Sequence, residues 1–169
     1  MVKEVHETII KEDQDISVAI AHDSRNNSDY FTKVASNVLS GNGIEVFVFD
    51  GLRPTPQLSY TLRRLKCKAG IVITASHNPK EYNGYKVYWQ DGGQLVPPQD
   101  DAIVNKINAT PYSNIKFKAN NDLIHYIGKD VDRVFIDASV INGSFDTPVK
   151  AKNNLTIVFT SLHGTSITL

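Results

Sequence analysis

Residues 70–93, GIVITASHNPKEYNGYKVYWQDGG, decide the fold that we expect for this chain of 169 residues. The apolar runs near the two ends of the segment predict strands over residues 70–74 and 85–90. Only the ten residues 75–84 join them, which is too short for the crossover that parallel neighbours need. We therefore expect an antiparallel pair at the edge of a mixed sheet, with Ser76 where the first of these strands ends.

Upstream, apolar runs over residues 16–21 and 44–49 predict two more strands, and amphipathic spacing predicts helices from the N-cap Ser28 to about residue 41 and over 57–66. Strands that are apolar on both faces and alternate with such helices are typical of a sheet between helical layers. The predicted fold class is therefore α/β, a three-layer α-β-α arrangement around a mixed, mostly parallel four-stranded sheet.

Downstream, the pattern predicts a short helix over residues 99–108, a longer helix over 122–141 and a further strand over 155–160. That strand has no helix behind it and no partner of its own. We therefore expect a first domain over residues 1–145, and over residues 146–169 a linker and the first strand of a truncated second domain.

Composition excludes several classes of function. The chain is 41% hydrophobic, and its 18 Lys and Arg balance 18 Asp and Glu, whereas nucleic-acid binders carry a basic surplus or stripe. No apolar run approaches the roughly 20 residues of a membrane span, and the charged N-terminal stretch lacks the apolar region of a signal peptide. A lone cysteine, Cys67, excludes an internal disulfide framework, so a cytoplasmic location is predicted.

Ser76 is the first candidate for a catalytic residue, because ligands usually bind at loops that follow the carboxyl ends of strands in open α/β sheets. Asn78 precedes a proline, which restricts the backbone just after the serine. A phosphate on Ser76 would need cationic partners, and a tight loop would return Lys86 to its vicinity, while His77 could donate to it. The alternative is a strand-to-turn junction whose polar side chains only satisfy backbone groups.

Asp23 and Arg25 follow the first predicted strand and form the second candidate. Arg25 could bind a phosphate through both arms of its guanidinium. The same pair could equally hold its own loop together as an internal ion pair. Both interpretations stay open from the sequence.

Several motifs together resemble the α-D-phosphohexomutases. TASHNP at residues 74–79 and NGYK at 83–86 are similar to the phosphoserine loop of that family, and the YKVYW form is similar to its phosphoglucomutase and phosphopentomutase branch. D-x-R-x-x-S at 23–28 and PTP at 54–56 lie where the family's first domain has them. TSLHGT at 160–165 resembles the family's T-P-L-H-G-T-G, with Ser161 and Ser166 departing from it. The resemblance covers roughly residues 16–165.

The resemblance implies an isomerase that transfers phosphate between the 1- and 6-positions of a hexose phosphate through a bisphosphorylated intermediate. It implies that Ser76 carries the phosphate, with His77 and Lys86 as further catalytic residues and Asn78 and Arg25 as phosphate-binding residues. It also implies Mg²⁺, bound through the Ser76 phosphate with its remaining ligands outside this chain, and glucose 1,6-bisphosphate as activator. The implied partners are a phosphosugar and domains II–IV of the same protein, with no nucleic acid and no membrane.

Other family motifs are not found in this sequence. The metal loop of D-G-D-x-D-R type and the sugar-selecting G-E-x-S loop are absent, so the sequence does not identify the sugar. We therefore expect a fragment that is inactive by itself. Two alternatives remain: a non-catalytic α/β module that binds sugar phosphates or a partner, and a different serine-based phosphotransferase or phosphatase.

Overall fold

The computed structural model describes residues 16–143, 154–162 and 164–168. Its strands are β1 (Ser17–His22), β2 (Glu45–Phe49), β3 (Ala69–Ile73), β4 (Tyr85–Trp89) and β5 (Ile124–Ile127). Its α-helices are α1 (Ser28–Gly41), α2 (Thr55–Arg64), α3 (Gln99–Ala109) and α4 (Lys129–Asn142). Short 3₁₀ turns lie at Tyr112–Asn114, Asn121–Leu123 and Ser166–Thr168.

The strands form one sheet in the order β4-β3-β1-β2-β5. β1 pairs in parallel with β2 and with β3, and β2 pairs in parallel with β5. β3 and β4 pair antiparallel, with Ile73 opposite Tyr85 and Ala69 opposite Trp89. The predicted antiparallel edge pair is confirmed, and the mostly parallel sheet has five strands rather than four.

Each face of the sheet carries its own apolar core. On one face, Val18, Ile20 and Ile71 pack with Leu39 of α1. On the other, β-strand residues pack with Leu58 and Leu62 of α2, and Val131 of α4 packs against this cluster. The predicted three-layer arrangement is therefore confirmed. α3 contributes no buried residue to either core.

The long helix predicted over residues 122–141 is wrong in its first part, and its second part corresponds to α4. Residues 121–123 form a 3₁₀ turn, Ile124–Ile127 forms β5 against β2, and α4 starts only at Lys129. A run with apolar residues at 123, 124, 127 and 131 fits a helical face as well as a short strand. Here pairing with the open edge of β2 decides between the two.

Two helix starts differ from their predictions by one or two residues. α1 begins at Ser28, with Asn27 in left-handed conformation (φ 64°) at the N-cap position, so Ser28 is not the N-cap. α2 begins at Thr55, two residues early, with Pro56 in its first turn, where a proline costs no helical hydrogen bond.

The strand predicted over residues 155–160 is not found, because this stretch pairs with no strand among the described residues. Its apolar side chains lie in solvent, with Val158 93% exposed. The predicted boundary near residue 145 falls among residues 144–153, outside the described residues, and the division into two domains stays a prediction.

Among the helices of the described residues, none combines the length and the apolar character that crossing a bilayer requires.

β1, β2, β3 and β5 run in the same direction, so their carboxyl ends share one edge of the sheet. Residues that follow β1, β2 and β3 meet there, and β4 starts from the same edge. The candidate site is built at this edge.

Candidate active site

Ser76 lies in the loop that follows β3, and it is exposed. Its backbone is left-handed, with φ at 58°, a conformation that costs energy for a residue with a side chain. Its N–H donates to Thr74 Oγ1 at 3.0 Å, and its Oγ lies 3.4 Å from His77 Nδ1. The serine hydroxyl is thus presented outward, with an imidazole beside it.

Arg25 holds this loop through its backbone carbonyls. Its NH1 donates to the carbonyl oxygens of Asn78 at 2.6 Å, Pro79 at 2.7 Å and Tyr82 at 3.3 Å. Its NH2 donates to the carbonyl oxygen of Ser76. The guanidinium therefore faces the loop backbone, which agrees with the loop-holding interpretation of this residue rather than with direct phosphate binding.

The carboxylate of Asp23 accepts hydrogen bonds from several residues in and around the loop. It accepts from Arg25 Nε at 3.0 Å, from the Arg25 N–H at 3.1 Å and from Ser28 Oγ at 3.1 Å. It also accepts from Thr74 Oγ1 at 2.6 Å. Asp23 thereby joins the end of β1, the start of α1 and the end of β3.

The return of the loop to β4 is fixed by Asn83 and Gly84. Asn83 Nδ2 donates to Ser28 Oγ at 2.8 Å, and Asn83 Oδ1 accepts from the N–H of Gly84 at 2.9 Å. The Thr74 N–H donates to the carbonyl of Gly84 at 3.0 Å. A Cβ at Gly84 would lie 2.7 Å from the Thr74 carbonyl oxygen, so only glycine allows this approach.

Ser76 and His77 line a cleft of about 390 Å³. Its lining comes from four segments and comprises Asp23, Arg53, Pro54, Thr55, Pro56, Val72, Thr74, Ser76, His77, Gly164 and Thr165. Pro54–Pro56 is the amino-terminal end of α2, which has no acidic residue in its first turn. The positive end of the helix dipole therefore borders the cleft, and such helix ends favour anions.

Lys86 and Asn78 are not among the residues that line this cleft. Lys86 pairs with Val72, which does line it, and antiparallel partners point to the same face of a sheet. The amine is thus on the cleft side of the sheet. Asn78 is exposed and accepts from Arg25 through its backbone carbonyl.

A buried charged cluster behind the cleft is not apparent from the sequence. Arg53 donates to both carboxylate oxygens of Asp132, at 2.6 and 2.7 Å, and to Asp50 at 3.0 Å. Gln57 Nε2 donates to Asp132 at 2.6 Å. Arg53 stands next to the PTP motif, but its partner Asp132 lies 79 residues away, a pairing that local spacing cannot reveal.

Burial and pairing act in opposite directions in this cluster. Burial alone would raise the pKa of Asp132, but hydrogen bonds from Arg53 and Gln57 and the charge of Arg53 outweigh it, so that pKa is lowered. Burial alone would lower the pKa of Arg53, but Asp132 and Asp50 outweigh it, so that pKa is raised. Both groups are therefore held in their charged forms.

The described residues do not fit a complete magnesium site. Within them, no group of three or more His, Cys, Asp or Glu side chains is arranged to hold a metal ion. The carboxylate beside Ser76, that of Asp23, is already bonded to Arg25, Ser28 and Thr74. A phosphate on Ser76 would add oxygen donors for such an ion.

Comparison with known proteins identifies close counterparts of this chain. The family model of phosphoglucomutase/phosphomannomutase, alpha/beta/alpha domain I, matches residues 1–114. A phosphoglucomutase of Staphylococcus saprophyticus is 38% identical over 162 residues, which is 92% of this chain and 28% of the relative. One from Staphylococcus epidermidis is 36% identical over 156 residues, 89% of this chain and 28% of the relative. The chain thus spans about 28% of the length of these curated relatives.

Solved structures give the same fold. A protein of Thermus thermophilus, proposed to be a phosphomannomutase, matches with a TM-score of 0.65 at 27% identity, over 92% of this chain and 33% of that one. A phosphoglucomutase/phosphomannomutase family protein from Burkholderia thailandensis matches with a TM-score of 0.62 at 21% identity, over 87% of this chain and 31% of that one. The second match supports the fold alone.

Proposed function

Because this chain belongs to the phosphoglucomutase/phosphomannomutase family and has the fold of its first domain, we propose that it is the part of a phosphohexomutase that carries the transferable phosphate. Ser76 is the proposed carrier. The observation that supports this most directly is the conformation of Ser76: an exposed hydroxyl on a left-handed backbone (φ 58°), in a loop bound by Arg25, at the mouth of a cleft.

The proposed reaction is an exchange of phosphate between Ser76 and a hexose phosphate. The bond between phosphorus and Ser76 Oγ breaks while a bond to a sugar hydroxyl oxygen forms, and the proton of that hydroxyl moves to the serine oxygen through a neighbouring base. The resulting bisphosphate turns and returns the phosphate from its other oxygen to Ser76. Such transfers depend mainly on positioning and on charge stabilisation.

The other site residues take roles that their placement supports. His77 Nδ1 lies 3.4 Å from Ser76 Oγ and would donate to the phosphate or hold the proton in transit. Lys86, on the cleft side of the sheet, would stabilise the transferring group. Asn78 stays a proposed phosphate ligand. Arg25 acts through the loop that it holds, so its role is positioning.

Magnesium and glucose 1,6-bisphosphate are proposed for the whole protein, because mutases of this family generally depend on Mg²⁺. The ion would neutralise charge on the transferring phosphate. Since the described residues hold no group of three or more His, Cys, Asp or Glu side chains that could bind it, no step of the reaction is assigned to it. Because the chain spans 28% of its curated relatives, we propose that the chain by itself completes no turnover in a coupled glucose-1-phosphate assay, although Ser76 can still take up phosphate from glucose 1,6-bisphosphate.

The alternative function is a non-catalytic module that binds a sugar phosphate. It is consistent with the lack of a metal-binding cluster among the described residues. Intact-mass analysis after incubation with glucose 1,6-bisphosphate and Mg²⁺ separates the two. The mutase proposal expects a mass gain of one phosphate, and Ser76→Ala should abolish this gain. Ser24 is an exposed serine in the neighbouring loop, and Ser24→Ala should leave the gain unchanged. A gain that survives Ser76→Ala would contradict the proposal, and binding without any gain would support the alternative.

A further inference from the structure

One buried carboxylate anchors both ends of the PTP segment that lines the cleft. Asp132, in the first turn of α4, accepts from Arg53 through Nε and NH2 and from Gln57 through Nε2, all at 2.6 to 2.7 Å. Arg53 precedes residues 54–56 and Gln57 follows them, and residues 54–56 line the cleft together with Ser76. Asp132 does not line the cleft itself.

Arg53 is also fixed to the rest of the sheet edge. Its N–H donates to the carbonyl of His22 at 3.2 Å, NH2 donates to Asp50 at 3.0 Å, and the guanidinium lies 5.4 Å from the ring centre of Phe49. The side chains of Arg53 and Asp132 are only 4% and 8% exposed. The segment after Arg53 therefore has a fixed starting point relative to the ends of β1 and β2.

A contribution to the stability of the fold does not by itself explain why Arg53, Gln57 and Asp132 are buried together. Buried ion pairs are often replaced by apolar side chains without loss of stability, whereas a two-pronged contact between guanidinium and carboxylate fixes orientation. Gln57 is fully buried, and its Oε1 has no hydrogen-bond partner in the described part of the chain. An unpaired buried amide oxygen is unfavourable, so the residue gives up stability for the bond that its Nε2 makes to Asp132.

We propose that Asp132 is a positioning residue of the Ser76 site: by holding Arg53 and Gln57, it sets the place of residues 54–56 relative to the Ser76 hydroxyl. This inference rests on the proposed function, since the placement matters for catalysis only if Ser76 exchanges phosphate. The geometric part can nevertheless be tested without any reaction.

The test is the two-dimensional ¹H–¹⁵N NMR spectrum of the whole chain with Asp132→Asn. The amide signals of Thr55, Ser76 and His77 are expected to move by more than they do with Asp137→Asn, a change in an exposed ion pair of the same helix. Signals that stay within the range of this control would overturn the proposal.

Asp132→Glu separates positioning from charge. It keeps the carboxylate but displaces it by one methylene, so it is expected to recover stability in urea without returning the Thr55 and Ser76 signals. Recovery of both would show that charge alone suffices, and would overturn the proposal. Should Asp132→Asn fail to fold, Gln57→Leu removes one donor and the unpaired oxygen together, and the Thr55 signal decides in the same way.

The consequence for the reaction is measured separately, as the rate of phosphate uptake at Ser76 from glucose 1,6-bisphosphate followed by intact mass. Misplacement of a cleft wall by about an ångström is expected to slow this uptake roughly 10- to 100-fold in Asp132→Asn and to leave it unchanged in Asp137→Asn. If the unaltered chain takes up no phosphate, the proposed function is in question, while the NMR result still decides whether Asp132 positions the cleft.

Discussion

Thr74 Oγ1 donates to Asp23 Oδ2 at 2.6 Å, and this bond joins the ends of β3 and β1 directly beneath the Ser76 loop. The same hydroxyl oxygen accepts from the N–H of Ser76 at 3.0 Å. A single threonine side chain thus links the Asp23 carboxylate to the backbone of the proposed phosphate carrier. Its hydrogen-bonding capacity as a donor is fully used.

Thr74→Val tests this link, because valine keeps the shape and removes the hydroxyl. Asp23 loses a donor and the Ser76 N–H loses its acceptor, so we expect a loss of about 1–3 kcal/mol in the free energy of unfolding, measured by urea denaturation. The matched control is Thr61→Val, because Thr61 is fully buried and its Oγ1 has no partner among the described residues. There the same change should be neutral or stabilising, and equal losses at both positions would contradict the assigned role of Thr74.

Arg25→Lys tests whether the loop depends on the forked guanidinium. A lysine keeps the charge near Asp23 but cannot reach the several carbonyls that NH1 and NH2 serve. We expect faster hydrogen exchange at the amides of Asn78 and Tyr82, which lie in the loop that Arg25 holds, and a loss of roughly 1.5–3 kcal/mol in the free energy of unfolding.

Arg133→Lys is the control for that substitution, because Arg133 is an exposed arginine whose partner Asp137 is also exposed. Its effect on unfolding should stay within about 0.5 kcal/mol. Unchanged exchange in the 78–82 loop of Arg25→Lys would show that the charge, and not the fork, holds the loop.

Gly84→Ala is expected to disturb the end of β3 and with it the Ser76 loop. The added Cβ would lie 2.7 Å from the Thr74 carbonyl oxygen, which is backbone and cannot turn away, so we expect a loss of about 1–3 kcal/mol in urea unfolding. Gly51→Ala is the control, since its Cβ would meet only Arg53 NH1 at 3.5 Å, an ordinary contact. A Gly84→Ala variant as stable as Gly51→Ala would mean that the approach of residues 74 and 84 is looser than described.

The sequence predicts those strands and helices that a local pattern of apolar and polar residues determines. Apolar runs locate β1 to β4, and the short 75–84 connection correctly forces β4 to be antiparallel. β5 escapes prediction because four residues at 124–127 are too few to separate a strand from a helical face, and the open edge of β2 decides. Residues 155–160 show the converse: this apolar run does not form a strand, and no strand of the described part of the chain pairs with it.

The candidate site divides in the same way. Motif and position place Ser76 and His77 in the loop after β3, where the structure also has them, and their catalytic roles stay predictions. Two alternatives for Arg25 stay open until the structure places its donors on loop carbonyls. No local sequence pattern predicts the role of Asp132, because its partners Arg53 and Gln57 precede it by 79 and 75 positions in the sequence. Contacts of such long sequence separation depend on the packing of α4 against α2, which a single sequence does not encode in any short motif.

The buried cluster around Asp132 makes the free energy of unfolding depend on pH in the acid range. Burial opposes ionisation of Asp132, but hydrogen bonds from Arg53 and Gln57 and the charge of Arg53 outweigh it, so the folded pKa lies below the ordinary value, which is about 3.9. A carboxyl with a lowered pKa stabilises the fold fully above its unfolded pKa, and this contribution is lost as the pH falls through the folded value.

Asp132→Asn removes that titration and leaves Arg53 with Asp50 as its remaining carboxylate partner. Near pH 7 the variant should be less stable by about 3 kcal/mol or more, since it breaks a buried ion pair. Urea unfolding measured from about pH 7 down to about pH 3 should show this difference constant at first and shrinking below about pH 3.9, because the parent loses a stabilisation that the variant never had. Asp137→Asn, in the exposed pair of the same helix, should give a small difference across the range. A difference for Asp132→Asn that stays constant or grows as the pH falls would mean that Asp132 is not held ionised by Arg53 and Gln57, and would remove the electrostatic basis for its role at the cleft.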